Sequence, residues 1–246
     1  MAETGTKTPR ERYRAQVREE IKERAWEQIA TAGASALSLN AIAKQMGMSG
    51  PALYRYFAGR DELITALIKD AYRSLADTVR AAHESGAAAH ESGAAAHESG
   101  AAAHESGAAA HESGADLAGL AHALRTWALA DPHRYFLIYG TPVPGYHAPD
   151  DVTLIASEIM ATLLDACAAL PSDRPATPFA VHLEDHRQWA DDHPAPPAVL
   201  HRALSFWTRI HGALSLELAG HFTGMGFDPA LLFAAELDDL TGPSAH

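Results

Sequence analysis

A short segment rich in aromatic and basic side chains, residues 50–60, has residue types and spacing suited to contacting a nucleic-acid duplex. Leu53 and Phe57 are four residues apart and predict one buried helix face, which leaves Tyr54 and Arg55 on the outer side. An outward arginine on a helix can reach base edges in a major groove, most naturally those of guanine. Contacts to phosphates are expected from Ser38, Lys44, Tyr56 and Arg60.

A helix-turn-helix would position these side chains. The sequence predicts a short helix from Asn40, as N-cap, to Met46, then a turn at residues 47–49 and a second helix beginning after Ser49. Ala43 allows the two helices to approach closely, and Gly47 supplies a left-handed backbone for the turn. The start of the second helix brings backbone close to a bound duplex, which adds Ser49, Gly50 and Pro51 to the candidate contacts.

The rest of the chain also has helical periodicity, so the predicted fold class is all-α. Apolar residues recur at four-residue spacing from Val17 to Ile29, inside a helix predicted over residues 8–32 that ends at Gly33. Another helix opens near Asp61, and Leu117 to Ala128 form a further apolar stripe. Later helices are predicted over residues 152–170, 178–190, 200–222 and 229–240, with a loop over 140–149.

The charge is distributed unevenly along the chain. The formal net charge is −12, yet residues 1–80 hold 13 basic and 10 acidic residues, whereas residues 81–246 hold 6 and 21. The first segment is therefore at +3 and the second at −15. A basic module followed by an acidic domain favours nucleic-acid contact through the N-terminal part alone.

A tandem repeat interrupts this pattern between residues 83 and 115. His-Glu-Ser-Gly-Ala-Ala-Ala occurs four times and is followed by a truncated fifth copy. Alanine favours helix, but each copy carries one glycine and no large apolar residue to bury. We expect an excursion that is helical where neighbours support it and frayed elsewhere.

Several other functions find little support in the sequence. The single cysteine, Cys167, cannot form an internal disulfide, and no apolar run is long enough to span a membrane. The N-terminus does not resemble a signal peptide, so the expected compartment is the cytoplasm. No segment groups a nucleophile, a base and oxyanion donors, so we expect no enzyme activity and no cofactor.

Histidine patterns raise the alternative of metal binding. The repeat histidines are seven residues apart, about 10.5 Å along a helix, which is too far for neighbours to share one ion. His182 and His186 have a chelating spacing, but two ligands do not complete a site, and a solvated face is favoured. We therefore predict no metal site. A His-rich, metal- or pH-responsive binding protein on the same scaffold remains the alternative function.

The N-terminal segment resembles the DNA-binding domain of the tetracycline-repressor (TetR) family. The similarity lies in residues 36–43, the run Gly47-Met48-Ser49-Gly50-Pro51-Ala52-Leu53-Tyr54-Arg55-Tyr56-Phe57, and Arg60-Asp61-Glu62-Leu63, within roughly residues 17–68. The resemblance implies a dimer that docks two helix-turn-helix heads on a near-palindromic DNA operator. Binding of a small molecule would release the operator, so the expected function is a ligand-responsive transcriptional regulator, most simply a repressor.

A second resemblance covers residues 127–146 and the pattern Trp207-x-x-x-His211-Gly212. These segments look like the C-terminal effector domain of a TetR branch with a Trp-His-Gly signature. The resemblance implies an all-helical domain that dimerises through its last two long helices and encloses a small-molecule pocket. Candidate pocket residues are Trp127, Tyr135, Phe136, Tyr139, Tyr146, Trp207 and His211. For His211 and Trp207, a packing role is the favoured alternative.

The two resemblances predict four segments. Residues 1–60 would form the DNA-binding domain, and residues 61–82 a connecting helix. Residues 83–115 would be a repeat insertion, and residues 116–246 the effector-binding and dimerisation domain.

Overall fold

The structure, a computed structural model, describes residues 8–97, 105–170, 177–191 and 193–241, with only the backbone described for 89–97 and 105–115. These residues form helices and turns with no strand among them, which confirms the all-α prediction. The α-helices are α1 (Pro9–Ala32), α2 (Leu39–Gln45), α3 (Gly50–Leu53), α4 (Arg60–His97), α5 (Glu105–Ala130), α6 (Pro132–Tyr139), α7 (Asp150–Ala168), α8 (Pro178–His182), α9 (Pro197–Leu218) and α10 (Pro229–Thr241).

The chain forms two compact units. The first comprises the chain up to Ala71 together with His133–Val152, and the second comprises Tyr72–Pro132 and Thr153–His246. The segment 133–152, which contains four of the predicted pocket aromatics, thus packs with the N-terminal part of the chain.

The first unit is built on the apolar face of α1. Its four buried residues, Val17, Ile21, Ala25 and Ile29, are those predicted from the four-residue spacing. The Thr8 hydroxyl and the Glu11 carboxylate form a capping box at its start. Gly33 ends it with φ 79° and donates its N–H to the carbonyl of Ile29, as a C-terminal stop should.

Side-chain contacts connect residues 133–152 to the rest of this unit. The Arg134 guanidinium lies 5.5 Å from the centre of the Trp26 ring. The hydroxyls of Thr65 and Tyr146 are hydrogen-bonded at 3.0 Å. Lys69 forms an ion pair with Asp151. The aromatic segment and the loop after it are therefore connected directly to α1 and to the first turns of α4.

In the second unit, side chains of α5, α7 and α9 meet those of the later turns of α4, and α10 packs on α5 and α9. The predicted stripe on α5 is confirmed, since Leu117, Leu120, Leu124 and Ala128 are buried. Arg125 of α5 pairs with Glu217 of α9 at 2.5 Å, with both side chains largely buried. Arg209 of α9 pairs with Glu236 of α10 at 2.6 Å. These pairs fix the helices of the unit against one another.

Some predicted helix boundaries were wrong. The short helix starts at Leu39 with Ser38 as its N-cap, because the Ser38 hydroxyl accepts from the N–H of Ala41. The helix predicted over 200–222 runs from Pro197 to Leu218, because Pro197 can occupy a first turn and Gly220 adopts φ 75° after the end. The helix predicted over 178–190 stops at His182, and a 3-10 turn forms later at Gln188–Ala190.

The repeat extends two helices. Its first copies continue α4 to His97 and its last copies open α5 from Glu105, while residues 98–104 lie outside the described part of the chain. The helical expectation is therefore confirmed on both sides. At its base, His83 Nδ1 lies 3.1 Å from Asp116 Oδ2. A Cβ on Gly86 would lie only 2.4 Å from Asp116 Oδ1, so this repeat glycine permits a close approach of the two helices.

Candidate nucleic-acid interface and effector site

The helix-turn-helix forms as the sequence predicts, but its second helix is short. Ala43, only 2% exposed, lies where α2 meets α3. The Met48 N–H donates to the Ala43 carbonyl at 2.8 Å, and Gly47 adopts φ 66° in the turn. The sequence placed Leu53 and Phe57 on one helix face, but α3 ends at Leu53, and Tyr54 to Tyr56 form a tight turn. The Tyr56 N–H there donates to the Leu53 carbonyl at 2.8 Å.

Tyr54 and Arg55 point to solvent at this turn. Tyr54 is 47% exposed and Arg55 is exposed, whereas Leu53 and Phe57 on either side are fully buried. Burial of these two flanking side chains fixes the direction of the pair between them. The arrangement presents an aromatic hydroxyl and a guanidinium together on the surface, as base contact would require.

Two arginines of α1 hold the backbone of that turn. Arg14 Nη2 donates to the Arg55 carbonyl at 3.1 Å. Arg18 donates to the Tyr56 carbonyl, and its guanidinium lies 4.0 Å from the centre of the Phe57 ring. The sequence analysis missed both arginines as support for the site. Their signal was the helical spacing of basic residues on the outer side of α1.

An acidic residue completes this support from α4. Glu62 Oε2 accepts from the Ala58 N–H at 2.6 Å, and Glu62 Oε1 lies 3.4 Å from Arg18. The turn after α3 is therefore held by charged side chains at its two ends. Arg14, Arg18 and Glu62 reach this segment through the backbone of Arg55, Tyr56 and Ala58, and the side chains of Tyr54 and Arg55 stay exposed.

The other predicted DNA contacts have mixed surroundings. Lys44, Ser49 and Pro51 are exposed, while Gly50, Tyr56, Ser38 and Arg60 are half-buried. Ser38 caps α2, and its N–H donates to Gln28 Oε1 at 3.0 Å. Arg60 Nη2 donates to the carbonyls of Ala34 and Ser35 at 2.9 and 3.3 Å. Ser38 and Arg60 therefore stabilise the unit through these hydrogen bonds, whereas their contacts with phosphates remain predictions.

The predicted pocket residues divide between the two units. Tyr135, Phe136, Tyr139 and Tyr146 belong to the first, and Trp127, Trp207 and His211 to the second. Tyr135 is fully buried, and its ring lies 5.6 Å from that of Phe136 and 5.3 Å from that of Tyr139. These contacts are typical of core packing. A ligand role for the four residues of the first unit stays a prediction.

The signature residues of the second unit lie together on α9. The ring centres of Trp207 and His211 are 4.1 Å apart. Burial lowers the pKa of His211 from 6.5 to about 4, because the charged imidazolium would lose its hydration there. His211 is therefore neutral at pH 7. On α5, the Trp127 indole N–H donates to the Ser74 hydroxyl at 3.1 Å.

A small cavity lies inside the second unit. Its volume is about 20 Å³, and α4, α5, α7 and α9 each contribute two side chains to its wall: Leu75, Val79, Leu120, Leu124, Ile159, Leu163, Phe206 and Trp207. Of the predicted pocket residues, only Trp207 lines it. The aliphatic lining was missed because a leucine on a helix stripe carries no signal that separates cavity wall from ordinary core.

The geometry bears also on metal and nucleophile chemistry. Across the described ranges, no group of three or more His, Cys, Asp or Glu side chains is arranged to hold a metal ion. His182 and His186 stack with ring centres 3.9 Å apart. Burial raises the pKa of the Cys167 thiol to about 12, so this cysteine is not poised as a nucleophile at neutral pH. None of the described helices has the length and apolar character needed to cross a bilayer.

Comparison with known proteins matches both parts of the chain to one family. Residues 21–67 match the bacterial regulatory proteins of the tetR family, and residues 117–240 match the tetracyclin repressor-like C-terminal domain. Two curated proteins, HTH-type transcriptional regulators Mb1846 of Mycobacterium bovis and Rv1816 of Mycobacterium tuberculosis, are each 35% identical over 233 residues. These alignments cover 91% of this chain and 90% of each relative.

Solved structures show the same fold. The crystal structure of the protein SCO4313 is 66% identical, with a TM-score of 0.78 over 96% of this chain and all of the other. A protein of unknown function from Rhodococcus sp. RHA1 is 20% identical, with a TM-score of 0.60 over 98% of this chain and 97% of its own. The second likeness concerns the fold alone.

Proposed function

The chain belongs to the TetR family of bacterial regulatory proteins, and on that premise we propose that it is a homodimeric repressor released from its DNA operator by a small molecule. The observation that carries the DNA-binding half is the exposed pair Tyr54 and Arg55 on a turn whose backbone is held by Arg14 and Arg18. Because operator DNA would be its partner, we propose a cytoplasmic location.

Recognition would follow from two copies of this turn. Each would enter a major groove, with Arg55 contacting a base edge and Tyr54 a base or sugar. Lys44 and Ser49, which are exposed beside the turn, would contact phosphates. Because the two heads are related by two-fold symmetry, the operator should be near-palindromic, with half-sites one helical turn or a multiple of it apart.

Dimerisation would use the outer faces of α9 and α10. On α9, the exposed residues Gly212 and Leu216 are four positions apart, and a Cβ added to Gly212 would meet nothing within 4 Å. On α10, Leu231 is 70% exposed. An open apolar face on two adjacent helices is typical of a surface that a second copy covers. Gly212→Arg should therefore convert the dimer to a monomer in sedimentation equilibrium, whereas Gly119→Arg on α5 should not.

The effector would bind in the second unit, within the segment matched as the C-terminal domain. We assign this domain to the branch with the Trp-His-Gly signature, on the basis of the Trp207–His211 pair and the following Gly212. Its ligand would release DNA only if it prefers a geometry with the wrong spacing of heads. We propose that residues 1–60 would bind DNA, residues 61–82 would connect the domains, residues 83–115 would be an insertion, and residues 116–246 would bind the effector and dimerise.

We propose no catalytic activity. The buried thiol of Cys167 and the core packing of Tyr135 and its neighbours offer no activated nucleophile. The named relatives are transcriptional regulators.

Selection of bound DNA from a random duplex pool tests the proposal. We expect enrichment of a two-fold-symmetric site bound by one dimer, with affinity falling steeply as salt rises. Failure to enrich any sequence, or enrichment of a site without symmetry, would contradict it. The Arg55→Ala variant in the same selection should lose preference at one position in each half-site.

A further inference from the structure

The cavity of the second unit has a wall without charge. All eight lining side chains are aliphatic or aromatic. Four helices contribute to it, so the apolar space lies between packed helices and is not formed by one exposed face. An apolar site of this kind binds uncharged, carbon-rich ligands in preference to charged ones.

Two polar groups next to the cavity are already engaged, and a third, His211, carries no charge at neutral pH. Arg125 follows the lining residue Leu124, but its guanidinium is 2.5 Å from the Glu217 carboxylate. The Trp127 indole N–H is hydrogen-bonded to Ser74, next to the lining residue Leu75. His211 lies beside Trp207 and is neutral at pH 7 because burial lowers its pKa to about 4. Among these neighbours, no cation is free to neutralise a ligand carboxylate.

From this arrangement we propose that the effector is an uncharged, predominantly apolar molecule, a hydrocarbon chain or ring system, bound between α4, α5, α7 and α9. The inference rests on the proposed function, since it names the chemical class of the ligand that the regulator senses. A charged ligand would lose its hydration among Leu120, Leu163 and Phe206 without gaining a partner.

The cavity is too small to hold an effector without movement of its walls. A volume of about 20 Å³ holds little more than one water, whereas ligand sites are typically about 300 Å³ or larger. An effector must therefore displace side chains and separate helices as it enters. α4 contributes Leu75 and Val79 to the wall and begins at Arg60, so the helix that the ligand displaces is continuous with the chain that follows the DNA-binding turn.

A matched series of probes tests the charge preference in the full-length protein without DNA. The probes are 1-octanol, octanoate and octylammonium, which share one chain and differ at the head group. Binding is measured by the shift in Tm and by tryptophan fluorescence. We expect saturable binding of 1-octanol with an affinity at least about tenfold above that of either ion. Equal or tighter binding of octanoate or octylammonium, or no saturable binding of 1-octanol, would overturn the proposal.

Two neighbouring leucines of α7 locate the site. Leu163 lines the cavity and Leu164, which is fully buried, does not. Leu163→Ala enlarges the cavity and should raise the affinity for 1-octanol severalfold, whereas Leu164→Ala should leave it unchanged. An equal response of both variants would place the probe elsewhere and contradict the assignment. If either variant fails to fold, the wild-type probe series still decides the proposal.

A DNA-binding experiment tests the apolar-effector inference separately from the regulator function on which it depends. On a selected operator duplex, 1-octanol should weaken binding of the wild-type protein, while octanoate at the same concentration should not. Operator binding with no response to any probe overturns the apolar-effector inference and leaves the regulator intact. Saturable 1-octanol binding in a protein that binds no duplex supports the apolar site but refutes the regulator.

Discussion

The helix-turn-helix and the second unit place their distinctive side chains in opposite environments. Around α3, Leu53 and Phe57 are buried so that Tyr54 and Arg55 between them can meet solvent, and charged residues hold the backbone beneath them. In the second unit, Leu163 and Trp207 face inward around a cavity, and the ion pair Arg125–Glu217 lies to one side. One region is built to present charge, and the other to exclude it.

This difference determines what each region can sense. A surface guanidinium on a fixed backbone suits a polyanion, because it keeps most of its hydration until contact. A wall of aliphatic and aromatic side chains suits a ligand that gains by leaving water. Measurements of stability and DNA affinity on single variants test this difference between the two regions.

The largest expected effect is the pH dependence of unfolding caused by His211. Its pKa is about 4 when folded and 6.5 when exposed, so the unfolded chain takes up a proton first as the pH falls. The contribution of the neutral His211 to stability is therefore present above pH 6.5 and is lost progressively down to about pH 4. The loss is on the order of 3 kcal/mol.

Urea unfolding across this range should show a flatter profile for His211→Gln. The same change at exposed His221 should leave the wild-type profile, and an equally steep profile for both variants would contradict the buried, neutral imidazole.

The next effect is on DNA affinity. Arg55→Ala should weaken operator binding by about 1–3 kcal/mol and broaden the sequence preference, because a base contact is lost. Arg24→Ala removes the same charge from an exposed residue of α1 that pairs with Glu27, and it serves as the control. Fluorescence anisotropy on matched and mismatched duplexes measures both changes. If the two variants lose affinity equally on all sequences, Arg55 acts only through its charge.

A smaller effect distinguishes two roles for Arg60. Its hydrogen bonds to Ala34 and Ser35 predict that Arg60→Ala lowers the free energy of unfolding by about 1 kcal/mol. A phosphate contact instead predicts a shallower salt dependence of DNA binding with unchanged stability. Thermal unfolding and a salt titration on the same sample separate these roles. An unchanged Tm would remove the structural role that the geometry assigns.

The smallest effect compares two helix glycines of the second unit. Gly119 of α5 is exposed, with nothing within 4 Å of an added Cβ, so Gly119→Ala should raise stability by about 0.5–1 kcal/mol through helix propensity. Gly86→Ala should lower it by a similar amount, because the new Cβ would lie 2.4 Å from Asp116 Oδ1. Denaturant unfolding of the two variants measures the difference. Equal stabilisation by both would mean that the helices do not approach closely there.

The sequence predicted local features better than distributed ones. The helix-turn-helix was recognisable because Ala43, Gly47, Leu53 and Phe57 lie within fifteen residues and each has a local physical reason. Support from Arg14 and Arg18 was missed, because it joins residues 38 to 41 positions apart in the chain. The cavity wall was missed for a similar reason, since Leu75 and Phe206 are brought together only by tertiary packing. The attachment of residues 133–152 to the first unit likewise depends on distant partners such as Trp26.

The base of the repeat, where His83 and Gly86 of α4 meet Asp116 of α5, has a genetic consequence. Identical copies invite slippage during DNA replication, which adds or removes whole seven-residue units. Seven residues are close to two helical turns, so each event would change the two arms by about one turn apiece. The contacts at the base join the first copy to Asp116, which follows the last copy. Gain or loss of the copies between them would leave these contacts in place. The number of copies can therefore change without disturbing the packed helices on either side of the repeat.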